Sequence, residues 1–243
     1  MHSPFVGEFA GTLVLILLGD GVVANVLLKR SKAEGAGWMV ITTGWGFAVL
    51  CGIFTAVAFG STDAHINPAV TLAAAITSGN FAKIAPYWSA QFLGAFTGAT
   101  LVWLYFLPHW RFTQDQGAKL AVFCTAPAIR KYPANLFCEM VGTMLLIVVI
   151  AAIGSRSLAP QGLDPGISPY FVSILVWSIG LSLGGTTGYA INPARDLGPR
   201  IAHAIWPISG KGSSDWAYAP VPILGPLLGA VLAALIIEAA HIA

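Results

Sequence analysis

Six apolar runs close to twenty residues long recur along this chain, at approximately 4–28, 38–59, 84–107, 135–155, 168–187 and 219–241. A helix needs ~20 residues, rising ~1.5 Å each, to cross a hydrocarbon core of ~30 Å. Lipid offers the backbone no hydrogen-bond partners, whereas a helix satisfies its own N–H and C=O groups. The expected fold class is therefore an all-α membrane protein built on six transmembrane helices. Composition agrees. Only 9% of the 243 residues are charged, against roughly 25% in soluble domains, and the mean hydropathy is +0.77. The formal net charge is +2 and no basic tract reaches five residues, which argues against a nucleic-acid partner. The amino terminus, MHSPFVGEF, lacks a basic leader and a small-residue cleavage site, so the first apolar run is expected to remain in the mature protein. Cys51, Cys124 and Cys138 show no metal-ligand spacing. Cys51 and Cys138 fall within apolar runs and read as buried thiols.

Two further segments are apolar but short. HINPAVTLAAAITSG (65–79) and AINPARDLGPRIAHAIW (190–206) offer about twelve helical residues each, or ~18 Å, half a membrane. Asn before Pro is a strong helix start, because Asn caps free amides and Pro at the first helical position sacrifices no hydrogen bond. Each INPA therefore reads as the start of a re-entrant half-helix.

The chain also repeats itself. GEFAGTLVLIL (7–17) matches CEMVGTMLLIV (138–148), AHINPAV (64–70) matches YAINPAR (189–195), and QFLGAFTGATL (91–101) matches PILGPLLGAVL (222–232). One channel-like domain over 1–243 is expected, with repeat 1 at about 1–110 and repeat 2 at about 130–243. Three spans per repeat is an odd number, so the second copy must enter the membrane inverted, as in inverted-repeat transporters. The half-helices would then meet at their amino termini, bringing Asn67-Pro68-Ala69 to Asn192-Pro193-Ala194. Two such ends place about half a positive charge each at the bilayer centre and repel cations, protons included. Asparagine NH2 groups would act as donors. Carbonyls of the non-helical Ala64, His65 and Ile66, and of Gly188, Tyr189 and Ala190, would serve as acceptors along a pore. Arg195 would add a fixed charge that raises the barrier to cations. A lane of acceptors ending in two donors suits a small neutral molecule carrying hydroxyl groups.

These paired NPA motifs, together with Glu8, Glu139, Arg195 and the Gly-rich third and sixth spans, resemble the major intrinsic protein family, the aquaporins and glycerol facilitators. The resemblance covers essentially the whole chain. Asp196 after NPAR, Arg200 after the next Gly-Pro, and Pro222-Ile223 are similar to the glycerol-facilitator branch. By motif the resemblance implies a selectivity filter of Trp45, Gly180, Tyr189 and Arg195. Gly180 stands where water-selective members usually place a histidine, and would leave room. Trp45 and Tyr189 would face a carbon backbone, and Arg195 would bond hydroxyls from the opposite wall. Many glycerol facilitators carry Phe where Tyr189 stands. The resemblance further implies that Glu8 and Glu139 hold the NPA loops and that Asp196 braces the loop around Arg195. It implies a homotetramer with one pore per protomer in the cell membrane (the inner membrane in a Gram-negative bacterium). No cofactor, metal or chemical step is implied. The expected partners are glycerol, water, similar neutral solutes and lipid.

Asp20, in LLGDGVVAN, lies inside the first span. It is expected near the outer vestibule, wetted or paired with Lys29 or Arg30, although an intramembrane acid also fits an ion-coupled transporter. His65 reads as a loop brace. Gly94 and Gly98, and Gly225 and Gly229, are spaced by four for close helix approach. With both termini cytoplasmic, as the resemblance implies, Lys29, Arg30, Lys32, Arg111, Lys119, Arg130, Lys131 and Lys211 lie outside. Only Lys83 and Arg156 among the loop cations lie inside, opposite to the positive-inside rule. The alternatives are a water-selective channel, an ion-coupled transporter using Asp20, and a membrane junction protein.

Overall fold

The computed structural model describes residues 2–164 and 166–242. Among them lie nine α-helices and no strand. The long ones are α1 (Pro4–Leu27), α2 (Trp38–Ala58), α4 (Ile84–Tyr105), α6 (Tyr132–Gly154), α7 (Ser168–Ser182) and α9 (Pro220–Ala239); the short ones are α3 (Pro68–Ser78), α5 (Gln116–Phe123) and α8 (Pro193–Ile205). Helices α1, α2, α6 and α9 are long and apolar enough to cross a membrane by length and composition. Helix α4 shares their length, at 22 residues, but carries Gln91, Thr97 and Thr100.

Two boundaries differ from the sequence expectation. Helix α7 has 15 residues and stops at Ser182, short of the run to 187. Gly184 and Gly185 follow at once, glycine being costly in a helix interior. The chain instead turns there, with Gly188 N–H donating to the Gly184 carbonyl at 2.9 Å and Gly188 at φ +82°. Helix α5 has no counterpart in the sequence reading. Asp115 caps it, accepting from the Ala118 amide at 3.1 Å, and Lys119, Val122 and Phe123 bury its inner face.

Helix α1 packs on α2 and α4, and α6 packs on α7 and α9. A methyl group at Gly98 would stand 2.6 Å from the Leu13 carbonyl of α1, and one at Gly225 would stand 2.6 Å from the Glu139 Cβ of α6. Gly94 and Gly229, four residues away in each case, press equally on the Phe9 and Met140 carbonyls. Two backbones can approach this closely only without side chains between them. The half-helices cross over: α3 packs on α9, and α8 packs on α4. Ser173 of α7 ties the two halves on the other side, donating to the Gly46 carbonyl of α2 at 2.8 Å.

The outer faces remain apolar, with Phe47 and Phe54 on α2 and Leu224 and Leu228 on α9 exposed. This corrects the cysteine expectation. Cys51 is exposed and Cys138 half-buried, while Cys124, in the loop after α5, is the buried one. In a lipid-facing bundle an apolar run does not imply burial, because the membrane replaces the core as its apolar surroundings.

Candidate conduction pathway

Asn67 and Asn192 stand at the amino termini of α3 and α8. Asn67 Oδ1 accepts from the Ala69 amide at 2.9 Å; Asn192 Oδ1 accepts from the Ala194 and Arg195 amides at 3.0 and 3.2 Å. Pro68 and Pro193 open the two helices. Each asparagine also reaches across to the other repeat. Asn67 Nδ2 donates to the Ile191 carbonyl and Asn192 Nδ2 to the Ile66 carbonyl, both at 2.9 Å. An amide nitrogen carries two hydrogens, so each asparagine keeps one donor.

The preceding segments are strained in matching places. Ala64 and Ile66 have φ of 44° each, and Tyr189 and Ile191 have 39° and 43°. Left-handed backbone costs such residues roughly 1–2 kcal/mol each, and two buried glutamates hold it. Glu8 accepts from His65 N–H at 2.8 Å, Ile66 N–H at 2.7 Å, Ser61 Oγ at 2.7 Å and Gln91 Nε2 at 2.7 Å. Glu139 accepts from Ala190 N–H at 3.0 Å and Ile191 N–H at 2.8 Å. In a trans peptide the C=O points opposite to the N–H of the next residue. Amides 65 and 66 facing Glu8 therefore turn the Ala64 and His65 carbonyls away from it. Amides 190 and 191 facing Glu139 do the same for Tyr189 and Ala190.

A cavity of ≈ 770 Å³ runs along these carbonyls and past both asparagines. It begins near Asp63 and Glu238 and reaches Trp45, Tyr189 and Arg195. One of the expected acceptors lies outside the lane, and a second already carries a hydrogen bond. The Ile66 carbonyl is engaged by Asn192. Gly188 lies in the turn before the strained pair, against Thr125, and is not among the lining residues.

At the far end Trp45, Gly180, Tyr189 and Arg195 come together, with two departures from the expected slot. A Cβ at Gly180 would stand 2.8 Å from Cζ and 2.9 Å from Oη of Tyr189. The room left by glycine is thus taken by the phenol ring. Trp38 backs that ring edge-on at 5.9 Å and donates to the Gly180 carbonyl at 3.0 Å. Arg195 does not face Trp45 from an opposite wall: its guanidinium carbon lies 4.1 Å from the indole centre. Its Nη1 donates to the Phe123 carbonyl at 3.2 Å and lies 3.5 Å from Asp20 Oδ1. Asp20 is correspondingly not near solvent or paired with Lys29 or Arg30. It is fully buried, on the inward stripe of α1 with Ile16 and Val23. Lys29 lies nine residues on, ~14 Å along a helix, and bonds Glu34 at 2.7 Å instead. Arg30 covers the Phe112 ring at 3.8 Å.

Asp196, in the first turn of α8, accepts from Thr125 N–H and Oγ1 at 2.8 Å and from Arg200 Nε at 2.8 Å. Arg200, fully buried, also donates to the Ser214 and Thr125 carbonyls at 2.8 and 3.1 Å. Beyond the carboxyl end of α8, Lys211 Nζ donates to the carbonyls of His203, Ala204 and Trp206 at 2.6, 2.8 and 2.7 Å. Burial pushes the Lys211 and Lys119 ammonium groups below the usual lysine range. At the other mouth, burial pushes the Asp63 carboxyl up. Hydrogen bonds from Lys83 and Tyr87 outweigh that and hold it below its ordinary value. His65 Nδ1 meets Thr71 Oγ1 at 3.1 Å, and its ring packs edge-on to Tyr87 at 5.3 Å. No cluster of three or more metal-ligating side chains occurs among the described residues.

Comparison with known proteins joins this geometry to a family. Residues 2–237 match the model of the major intrinsic protein family. The chain belongs to the major intrinsic protein family. This member is 56% identical, over 96% of its length and 97% of the relative's, to a "Probable glycerol uptake facilitator protein" of Thermotoga maritima. It is 49% identical, over 97% of its length and 98% of the relative's, to a "Glycerol uptake facilitator protein" of Streptococcus pneumoniae strain R6. Among solved structures it resembles the aquaglyceroporin from Plasmodium falciparum, with TM-score 0.83, 29% identity and coverage of 96% and 94% of the two chains. The family fold of long helices and paired half-helices is the one found here.

Sequence reasoning missed several residues that hold this site. Gln91 was legible as a polar residue inside an apolar span; it bridges Glu8 and Thr71, at 2.7 and 3.0 Å. Trp38, Phe123 and Thr125 act through groups more than seventy residues away in sequence, and no local signal marks them; Lys211 acts on carbonyls five to eight residues before it.

Proposed function

We propose that this chain is a passive, bidirectional channel that conducts glycerol and other small neutral polyols, with some water, and excludes protons and ions. The observation that carries this reading is the ordered lane inside the cavity. Two strained carbonyl pairs supply acceptors, and the cross-tied asparagines supply one donor each at the midpoint. Hydroxyl groups can exchange bonds along such a lane, while the facing helix termini oppose cations. The names carried by the relatives support the same solute.

In this proposal Trp45, Gly180, Tyr189 and Arg195 form the selectivity filter. The asparagines orient the solute, Glu8 and Glu139 support the loops, and Asp196 braces the loop beside Arg195. The chain forms one channel domain of two inverted repeats, assembled as a homotetramer in the cell membrane. Sister protomers and lipid would cover the exposed apolar faces. A water-selective channel is the second reading, favoured by the phenol ring in the space at Gly180 and by Arg195 on Trp45. Stopped-flow light scattering on proteoliposomes separates the two. Glycerol re-swelling well above that of protein-free vesicles is expected. Fast water efflux in sucrose with protein-free rates for glycerol would favour the second reading instead.

A further inference from the structure

Asp20 is fully buried within α1, and neither of its carboxylate oxygens has a hydrogen-bond partner among the described residues. A bare carboxylate inside a membrane bundle is costly unless an opposite charge compensates it. The compensating group is Arg195, at 3.5 Å. The same guanidinium lies on Trp45, and Trp45 in turn packs on Gly19, where a Cβ would collide with the indole. Asp20 therefore stands behind the wall that Trp45 lines, and attraction to Asp20 brings Arg195 against that wall. A carbon chain held between two groups needs roughly 7 Å, two van der Waals contacts of about 3.5–4 Å, but guanidinium carbon and indole centre are 4.1 Å apart. Where Arg195 rests thus decides whether the filter admits a carbon chain.

We propose that Asp20 is a specificity-determining positioning residue: its buried carboxylate holds the Arg195 guanidinium against Trp45, setting the filter's aperture and cancelling the positive charge that the arginine brings to the pore. The inference rests on the channel reading above. It has two consequences. Removing the carboxylate leaves the Phe123 carbonyl as the remaining polar tie on Arg195 and weakens its hold against Trp45, which widens the slot for polyols. It also leaves an unbalanced cation at the constriction, which lowers the barrier to small anions.

The test compares wild type, Asp20→Asn, Asp20→Glu, Arg195→Met and the double variant Asp20→Asn/Arg195→Met in proteoliposomes. Water, glycerol and formate, the last as a small carboxylate probe, are followed by stopped flow. Asp20→Asn is expected to raise the glycerol-to-water permeability ratio about tenfold, equivalent to ~1.4 kcal/mol of barrier, and to admit formate. Asp20→Glu keeps the charge but moves it by one methylene, so it should exclude formate yet shift the ratio. In the Arg195→Met background, adding Asp20→Asn should change nothing, because Asp20 acts through the arginine. A wild-type ratio with intact formate exclusion in Asp20→Asn would overturn the proposal, as would an effect that survives without Arg195. Should Asp20→Asn fail to insert, an unchanged ratio in Asp20→Glu overturns it equally. Wild-type vesicles that pass no glycerol would count against the channel reading. Conducting wild type with indistinguishable Asp20 variants would count against this inference alone.

Discussion

At the scale of single residues, the pathway depends on carboxylates that hold strained backbone. Glu8 accepts four hydrogen bonds and Glu139 two from backbone amides. Glutamine presents an NH2 group where these amides need an acceptor. Hydrogen bonds to a charged group are worth ~1.5–3 kcal/mol each. Glu8→Gln should therefore lower thermal stability in detergent more than Glu139→Gln does, and both should slow glycerol re-swelling. Equal melting temperatures for the two variants would mean that the extra Ser61 and Gln91 contacts contribute nothing. The asparagines act similarly at shorter range. Asn192→Ala removes the cap from two amides of α8 and the tie to the Ile66 carbonyl. A loss of about 1 kcal/mol from the cap alone, read as a lower melting temperature, is expected together with reduced solute flux.

At the scale of helices, close packing and capping position the half-helices. Alanine at Gly229 would press on the Met140 carbonyl and push α9 off α6. Because α3 packs on α9, the displacement should reach the Asn67 end of the pore. Overpacking of this kind costs typically 1–3 kcal/mol, so Gly229→Ala should lower both the melting temperature and glycerol conduction. Alanine at Gly185, which has open space around it, should lower neither. The six spans and both half-helices were legible because length, the Asn-Pro start and internal repetition are local signals. The end of α7 was not, since an apolar run continues past the glycines that break the helix. Helix α5 was hidden because its burial depends on partners brought by other segments. The place of Asp20 and Arg195 was also beyond sequence reasoning: their pairing depends on a 175-residue separation closed only by the fold. The residues proposed for the filter could be named from motifs, but not which wall Arg195 would occupy.

At the scale of the whole molecule, three of the eight cations that contradict the positive-inside count hold α8 and its loops. Lys211 caps α8, Lys119 donates to the Ser209 carbonyl, and Arg130 grips Asp215 at 3.0 Å through Nη1. The positions of these three follow from holding α8 and its loops. The two halves meet where Asn67 and Asn192 each donate to a backbone carbonyl of the other repeat, and the family is one of passive channels. Conduction should therefore depend on the solute gradient alone. The decisive measurement is the initial rate of glycerol entry into proteoliposomes across a range of gradients, with and without a protonophore and a potassium ionophore. Passive conduction predicts rates well above protein-free vesicles, proportional to the gradient and unchanged by ionophores. Rates no faster than protein-free vesicles, or entry that collapses with the ion gradients, would contradict it.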